Sequence, residues 1–171
     1  ISCIQMDMRL GAADENFAHA EALIRETVSR ERPDVAVLPE TWNTGFFPED
    51  LAACADRDGA RTRAVFSALA RELNVNIVCG SVANQRGDGF CNTAYVFDRS
   101  GEVLAEYDKT HLFTPSGEHH AFRAGDRTCR FRLDGKKCGL IICYDIRFPE
   151  LVRTMTLEGV DLLFAVAQWP E

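Results

Sequence analysis

No two of the seven cysteines in this chain are spaced CxxC, and none sits at a short zinc-ligand interval. That excludes the common structural zinc modules. Cys3, Cys54, Cys79, Cys91, Cys129, Cys138 and Cys143 are odd in number, and most lie in or beside apolar strands. Reduced thiols in a cytosolic protein fit this better than a disulfide framework. No apolar run reaches the length of a bilayer crossing. The opening residues Ile1-Ser2-Cys3-Ile4-Gln5 read as a strand, not as a signal peptide. A clustered basic face is also missing. Lys136-Lys137 is only a pair at an expected hairpin tip, and the net charge of -7 excludes nucleic acid and an acidic membrane surface as partners. Repeats and low-complexity tracts are absent. No methionine begins the chain, so a few leading residues are expected to precede it. What is present is a 171-residue sequence, 46% hydrophobic and 26% charged, enough to bury one sizeable core. Residues 1–171 are therefore expected to form a single domain.

The hydrophobic pattern alternates between sheet and helix. Ile1 to Met8 reads as a strand. Asp14 is placed to cap a helix carrying Phe17, Ala20, Ile24 and Val28 at helical spacing, which Arg32-Pro33-Asp34 ends. Val35-Ala36-Val37-Leu38 is a short, wholly apolar strand. A second helix presents Val65, Leu69 and Leu73, and Val75 to Cys79 follows as a strand ending at Gly80. Two hairpins come next: Phe90–Phe97 with Val103–Tyr107, and Cys129–Leu133 with Lys137–Ile142, the second turned by Asp134-Gly135. Pro149 to Glu158 is expected to be helical and Leu162 to Val166 a strand. The mixture of βαβ crossovers and hairpins predicts an α/β layered fold with a mixed sheet.

Three segments share one design, an apolar strand that delivers a reactive side chain at its end. Gly139 to Cys143 ends on a thiol, and Tyr144-Asp145-Ile146-Arg147-Phe148 leads to a helix opening at Pro149. A thiol near a helix N-terminus is expected to shift toward thiolate. Read alone, Cys143 is equally well a buried structural cysteine. Val37-Leu38-Pro39-Glu40 delivers a carboxylate, and Tyr107-Asp108-Lys109 an ammonium. Glu118 follows in Ser116-Gly117-Glu118-His119-His120. Together these groups suit amide cleavage. A thiolate attacks the carbonyl, and a glutamate with a raised pKa takes the thiol proton, protonates the departing amine and then activates water. A lysine and a backbone N–H can stabilise the oxyanion.

The segments Leu38-Pro39-Glu40, Asp108-Lys109-Thr110-His111-Leu112-Phe113 and Cys143-Tyr144-Asp145-Ile146-Arg147-Phe148-Pro149-Glu150 resemble the nitrilase superfamily of carbon–nitrogen hydrolases. The likeness runs from Cys3-Ile4-Gln5 to Ala167-Gln168-Trp169-Pro170, with the segments in the family's order. It implies Glu40 as general base, Lys109 as oxyanion-stabilising lysine, Cys143 as nucleophile and Glu118 as the second glutamate, which positions substrate and Lys109. The Tyr144 backbone N–H would be the second oxyanion donor. The cysteine segment and Gly117-Glu118-His119 look most like the omega-amidase branch, which hydrolyses the terminal amide of short dicarboxylic monoamides such as 2-oxoglutaramate.

The resemblance further implies an α-β-β-α sandwich, no cofactor, a small-molecule amide as partner, and a homodimer or larger even oligomer. Complete members continue beyond the strand that ends near Trp169, so the chain is expected to be a fragment with open sheet edges. Its alternatives are an inactive remnant or binding module of the same fold, or a relative that transfers the acyl group. Arg147 is a candidate for the substrate carboxylate or for an ion pair with Asp145 or Glu150. Trp42 and Phe46 either line the pocket or pack. His111 is expected to bond nearby backbone. His119 and His120 are expected to point apart in an extended segment, with no metal site. Cys138, five residues before Cys143, should face the opposite side of the strand. Asn92-Thr93 are expected to bond neighbouring backbone.

Overall fold

A computed structural model describes residues 1–169. In chain order these form β1 (Ser2–Cys3), α1 (Ala13–Glu31), β2 (Val35–Val37), α2 (Leu51–Cys54), β3 (Asp56–Arg57), α3 (Ala60–Leu73) and β4 (Asn76–Arg86). There follow β5 (Gly89–Phe97), β6 (Val103–Asp108), α4 (Glu118–Ala121), β7 (Cys129–Leu133), β8 (Lys136–Ile142), α5 (Pro149–Leu157) and β9 (Leu162–Val166). One sheet runs β1-β2-β4-β5-β6, with β3 beside the far end of β4; the other runs β7-β8-β9. Both are mixed. β1, β2 and β4 are parallel, whereas β4, β5 and β6 are antiparallel neighbours. β8 is antiparallel to β7 and parallel to β9.

Three buried clusters define four layers. Phe17, Ala20 and Ile24 of α1 and Phe66, Leu69 and Ala70 of α3 pack on one face of the larger sheet, against Ala36, Ile77 and Phe97. Its other face presents Val35, Val37, Val78 and Val96 to Leu140, Ile142, Phe131 and Phe164 of the smaller sheet. The far side of that sheet carries Ile141, covered by Leu151 and Met155 of α5. This is an α-β-β-α sandwich. Strand β2, and β8 from Cys138 to Ile142, read as unbroken apolar runs because both of their faces are covered.

Differences from the sequence pattern are local. β1 is only Ser2–Cys3, although the Ile4 N–H still donates to the Val37 carbonyl at 2.8 Å and both Ile4 and Met6 stay buried. Asp14 is not the cap of α1. The helix starts at Ala13 behind Ala12, which makes no side-chain cap, and Asp14 lies in the first turn, where a carboxylate favours the helix dipole. The stripe of α3 is rotated toward Phe66, which is wholly buried while Val65 is only partly so. β4 does not stop at Gly80 but continues to Arg86, with its register to β5 shifting between Val78 and Ser81. That kink helps to build the site.

Candidate active site

The kink in β4 makes room for the turn that ends β2. The Leu38 N–H donates to the Val78 carbonyl at 2.9 Å, and the Ser81 N–H to the Pro39 carbonyl at 3.1 Å. Gly80 sits between them at φ +54°, where an added Cβ would lie 1.8 Å from the Pro39 oxygen. Only glycine fits such an approach. Thr41 takes a left-handed φ of +43°, and its N–H is held by Ser81 Oγ at 3.0 Å. Between them Glu40 is turned inward and completely buried.

Lys109, on the end of β6, is equally buried and meets both glutamates. Its Nζ donates to Glu40 Oε1 at 2.8 Å and to Glu118 Oε2 and Oε1 at 2.9 and 3.1 Å. Glu118 is fixed by the Phe113 N–H, 2.5 Å from Oε2. One cation thus serves two carboxylates in a dry site. Burial raises the pKa of the Glu40 carboxyl; Lys109 pulls it back only in part, and Glu118 adds to the rise. Burial alone would lower the Lys109 pKa, but the two glutamates outweigh it and hold the ammonium above its ordinary range.

Asn92 completes this cluster. Its Nδ2 donates to Glu40 Oε1 at 3.0 Å and to Glu118 Oε1 at 3.1 Å, and its carbonyl accepts the Lys109 N–H at 2.9 Å. The expectation that Asn92-Thr93 serve neighbouring backbone is therefore corrected. The two side chains bond other side chains, with Thr93 Oγ1 donating to Asp108 Oδ1 at 2.5 Å.

Cys143 follows β8 at φ +46° and opens a 3-10 turn, Cys143–Arg147. Strand alternation would send its side chain to the α5 side with Ile141. The left-handed backbone swings it back, and Cys143 packs beside the cluster that contains Cys138, so the two are not on opposite sides. The thiol interacts with the Glu40 carboxylate. Burial, followed by that negative charge, pushes its pKa up to about 12, and Lys109 offsets only a little. The expected shift toward thiolate is overturned: the turn after Cys143 is a short 3-10 segment, and desolvation dominates. The thiol is held toward its protonated form, beside a carboxylate.

Asp145 anchors this turn from inside. Its Oδ2 accepts from the Ile142 N–H at 3.0 Å and the Tyr107 hydroxyl at 2.7 Å. Its Oδ1 accepts the His111 N–H at 2.9 Å and lies 2.9 Å from His111 Nδ1. His111 is thus structural but bonds a carboxylate rather than backbone, and its ring stacks on Phe148 with centroids 3.6 Å apart. The strand bearing Lys109 and the turn bearing Cys143 are tied through one buried carboxylate.

Above these groups lies a cavity of about 500 Å³, bordered by Lys109 and Cys143 and walled by Phe46, Phe47, Phe113, Tyr144 and Trp169. Of the two readings open for Phe46 and Trp42, Phe46 lines the cavity, as does Tyr144, whose backbone N–H the resemblance assigns to the oxyanion. Trp42 takes the packing alternative. It is wholly buried in the core, edge-on to Phe17 and Phe66, with its Nε1–H donated to the Cys79 carbonyl at 2.7 Å. The left-handed turn at Thr41 points it away from the cavity. Arg147 reaches the cavity rim and pairs with neither Asp145 nor Glu150. Its guanidinium lies 5.5 Å over the Trp169 ring. His119 and His120 lie in α4 rather than an extended segment, so their rings are neighbours, with centroids 3.9 Å apart. The Gln168 N–H donates to Glu40 Oε2 at 3.2 Å. Pro170, the last residue of the resembling segment, lies outside the described residues.

A four-layer α/β sandwich with a thiol, two carboxylates and an ammonium gathered at its strand ends defines a class, and the comparisons agree with it. The chain belongs to the carbon–nitrogen hydrolase family, whose model matches residues 1–171. Among curated relatives it is 41% identical over 170 residues to a 2-oxoglutaramate amidase of Bacillus subtilis, covering 99% of this chain and 65% of that protein. It is 35% identical over 155 residues to an omega-amidase of Escherichia coli, covering 91% and 57%. A crystal structure of a superfamily member from Xanthomonas campestris, with an arsenic adduct in its active site, superposes with a TM-score of 0.87 at 29% identity, covering 98% of this chain and 64% of that one. The chain thus spans about two thirds or less of these relatives' own lengths.

Proposed function

We propose that the protein is an amidohydrolase of the omega-amidase type, cleaving the terminal amide of a small carboxylate-bearing amide such as 2-oxoglutaramate through a thioester on Cys143. The observation that carries this reading is the meeting of Cys143 and Lys109 at one aromatic-walled cavity, with Glu40 buried against both of them.

As the Cys143 sulfur attacks the amide carbon, its proton passes to Glu40. A neutral thiol can react this way because the base is already in contact and its pKa is raised toward that of its task. The tetrahedral oxyanion is stabilised by Lys109 and the Tyr144 backbone N–H. Collapse breaks the carbon–nitrogen bond, and the proton held by Glu40 leaves with the nitrogen as ammonia. Water then gives a proton to Glu40 and attacks the thioester; the acid departs, and the sulfur regains its proton. Thiol, carboxylate and ammonium supply every step, so the reading requires no cofactor. Arg147, an exposed guanidinium at the rim without a carboxylate partner among the described residues, is assigned to the substrate carboxylate. We place the enzyme in the cytosol as a homodimer or larger even oligomer. Its partner is then the small amide.

Ammonia release from 2-oxoglutaramate, by the protein and by Cys143→Ala, tests the reading. Release that vanishes in the variant supports it. No release by the folded parent overturns the substrate assignment, and equal release by the variant overturns the nucleophile.

A further inference from the structure

We infer that Asn92 is a positioning residue that divides the two oxygens of Glu40 between different tasks, holding Oε1 in place so that Oε2 is left to exchange protons. The inference rests on the reading of Glu40 as the base for Cys143.

The two oxygens are unequally served. Glu40 Oε1 accepts from Lys109 Nζ at 2.8 Å and from Asn92 Nδ2 at 3.0 Å. Apart from the Cys143 thiol beside Glu40, Oε2 accepts among the described residues only the Gln168 N–H, at 3.2 Å. A carboxylate oxygen has room for about two donors. Oε1 is therefore filled and Oε2 retains accepting capacity. The thiol proton consequently goes to Oε2, and the same oxygen returns it to the departing nitrogen.

Glu118 shows why a neutral donor is needed. Lys109 is shared by two carboxylates, both wholly buried, so the cluster carries one more negative charge than positive when both are ionised. The Asn92 amide gives an N–H to each glutamate and stabilises that excess charge without adding a second cation. Its nitrogen is the end in use; Oδ1 meets no partner among the described residues. The backbone locates it as well, because the Asn92 carbonyl accepts the Lys109 N–H. Asn92 therefore fixes both the base and the ammonium from the middle of β5, without bordering the cavity itself.

The inference predicts a change in protonation, not only a loss of rate. With one donor to Oε1 removed, the Glu40 carboxylate is less stabilised and its pKa rises. The readout is the rate of Cys143 alkylation by iodoacetamide against pH, which needs no amide turnover. In the parent the rate rises on an acid limb set by Glu40, and Glu40→Gln abolishes that limb. In Asn92→Ala the limb moves up by about one pH unit, the size expected from one hydrogen bond to a charged group. Asn92→Ser, which keeps one donor too short to reach both carboxylates, moves it by less. If Asn92→Ala does not fold, the Asn92→Ser limb is read in its place. A folded variant that reacts more slowly on an unmoved limb would overturn the inference and make Asn92 structural. Persistence of the limb in Glu40→Gln would instead overturn the reading of Glu40 as the base.

Discussion

Glu40 and Cys143 were legible because each follows an apolar run with an abrupt polar ending; Lys109, after the half-exposed β6, was legible only beside them and in the family's order. Asn92 was not, since an asparagine inside a strand carries no signal of what lies across the sheet. Nor was the state of the thiol: a linear sequence shows the nearby turn but not the desolvation that pushes the pKa to about 12. That state has consequences. In the proposed mechanism the active form holds Glu40 ionised, and burial raises its pKa above the ordinary carboxylate value. Lowering the pH therefore removes the base, and kcat/KM falls on an acid limb lying above that of a solvent-exposed glutamate, as a pH–rate profile will show. Lys109→Met removes the proposed oxyanion donor and leaves two buried carboxylates without their shared cation. Turnover should fall by ~100-fold or more, measured as kcat on a folded sample. Arg147→Ala should raise KM for a carboxylate-bearing amide by ~10-fold or more while sparing a neutral amide of similar size. Equal loss on both substrates would remove Arg147 from the carboxylate site.

At the scale of elements, α1, α3 and most strands were readable from the hydrophobic pattern, whereas β1 is shorter than Ile1 to Met8, and β3 and the short helices α2 and α4 carried no signal. The kink of β4 at Gly80 shows the difference. A glycine ending an apolar run reads as a stop, yet here β4 bends and continues because the Leu38–Glu40 turn presses into the gap. Gly80→Ala should cost about 3 kcal/mol through backbone strain and the clash with Pro39, seen as a fall of ~10 °C in thermal midpoint. The left-handed residues Thr41 and Cys143 escaped sequence reading for a similar cause. Neither is a glycine, so nothing in the residue type announces the turn, and it was this geometry that sent Trp42 into the core and Cys143 toward Glu40. The Asp145 anchor joins β6 to the turn after β8. Tyr107→Phe deletes one of its donors while keeping the ring.

For the molecule as a whole, the order of elements predicted an α/β layered fold with one mixed sheet; the α-β-β-α sandwich, with its second sheet, was implied by the likeness to the nitrilase superfamily. Each strand face has a distinct neighbour, α1 and α3, the other sheet, or α5, and the hydrophobic pattern marks these faces as buried without giving the number of sheets. It could not specify what covers the outer side of α5, where Ile146 and Leu157 are 50% and 73% exposed. No described helix is long and apolar enough to cross a membrane. An even oligomer predicts that sedimentation of the protein gives a dimer or a multiple of it, and a monomer at micromolar concentration would contradict that expectation. The most direct test of the central claim is the covalent state of Cys143 during turnover. Acid quenching with 2-oxoglutaramate, followed by peptide mass analysis, should find the peptide bearing Cys143 heavier by the substrate less ammonia, and hydroxylamine should discharge it as a hydroxamate. Ammonia released at full rate, with Cys143 unmodified and its alanine variant equally active, would contradict the thioester account.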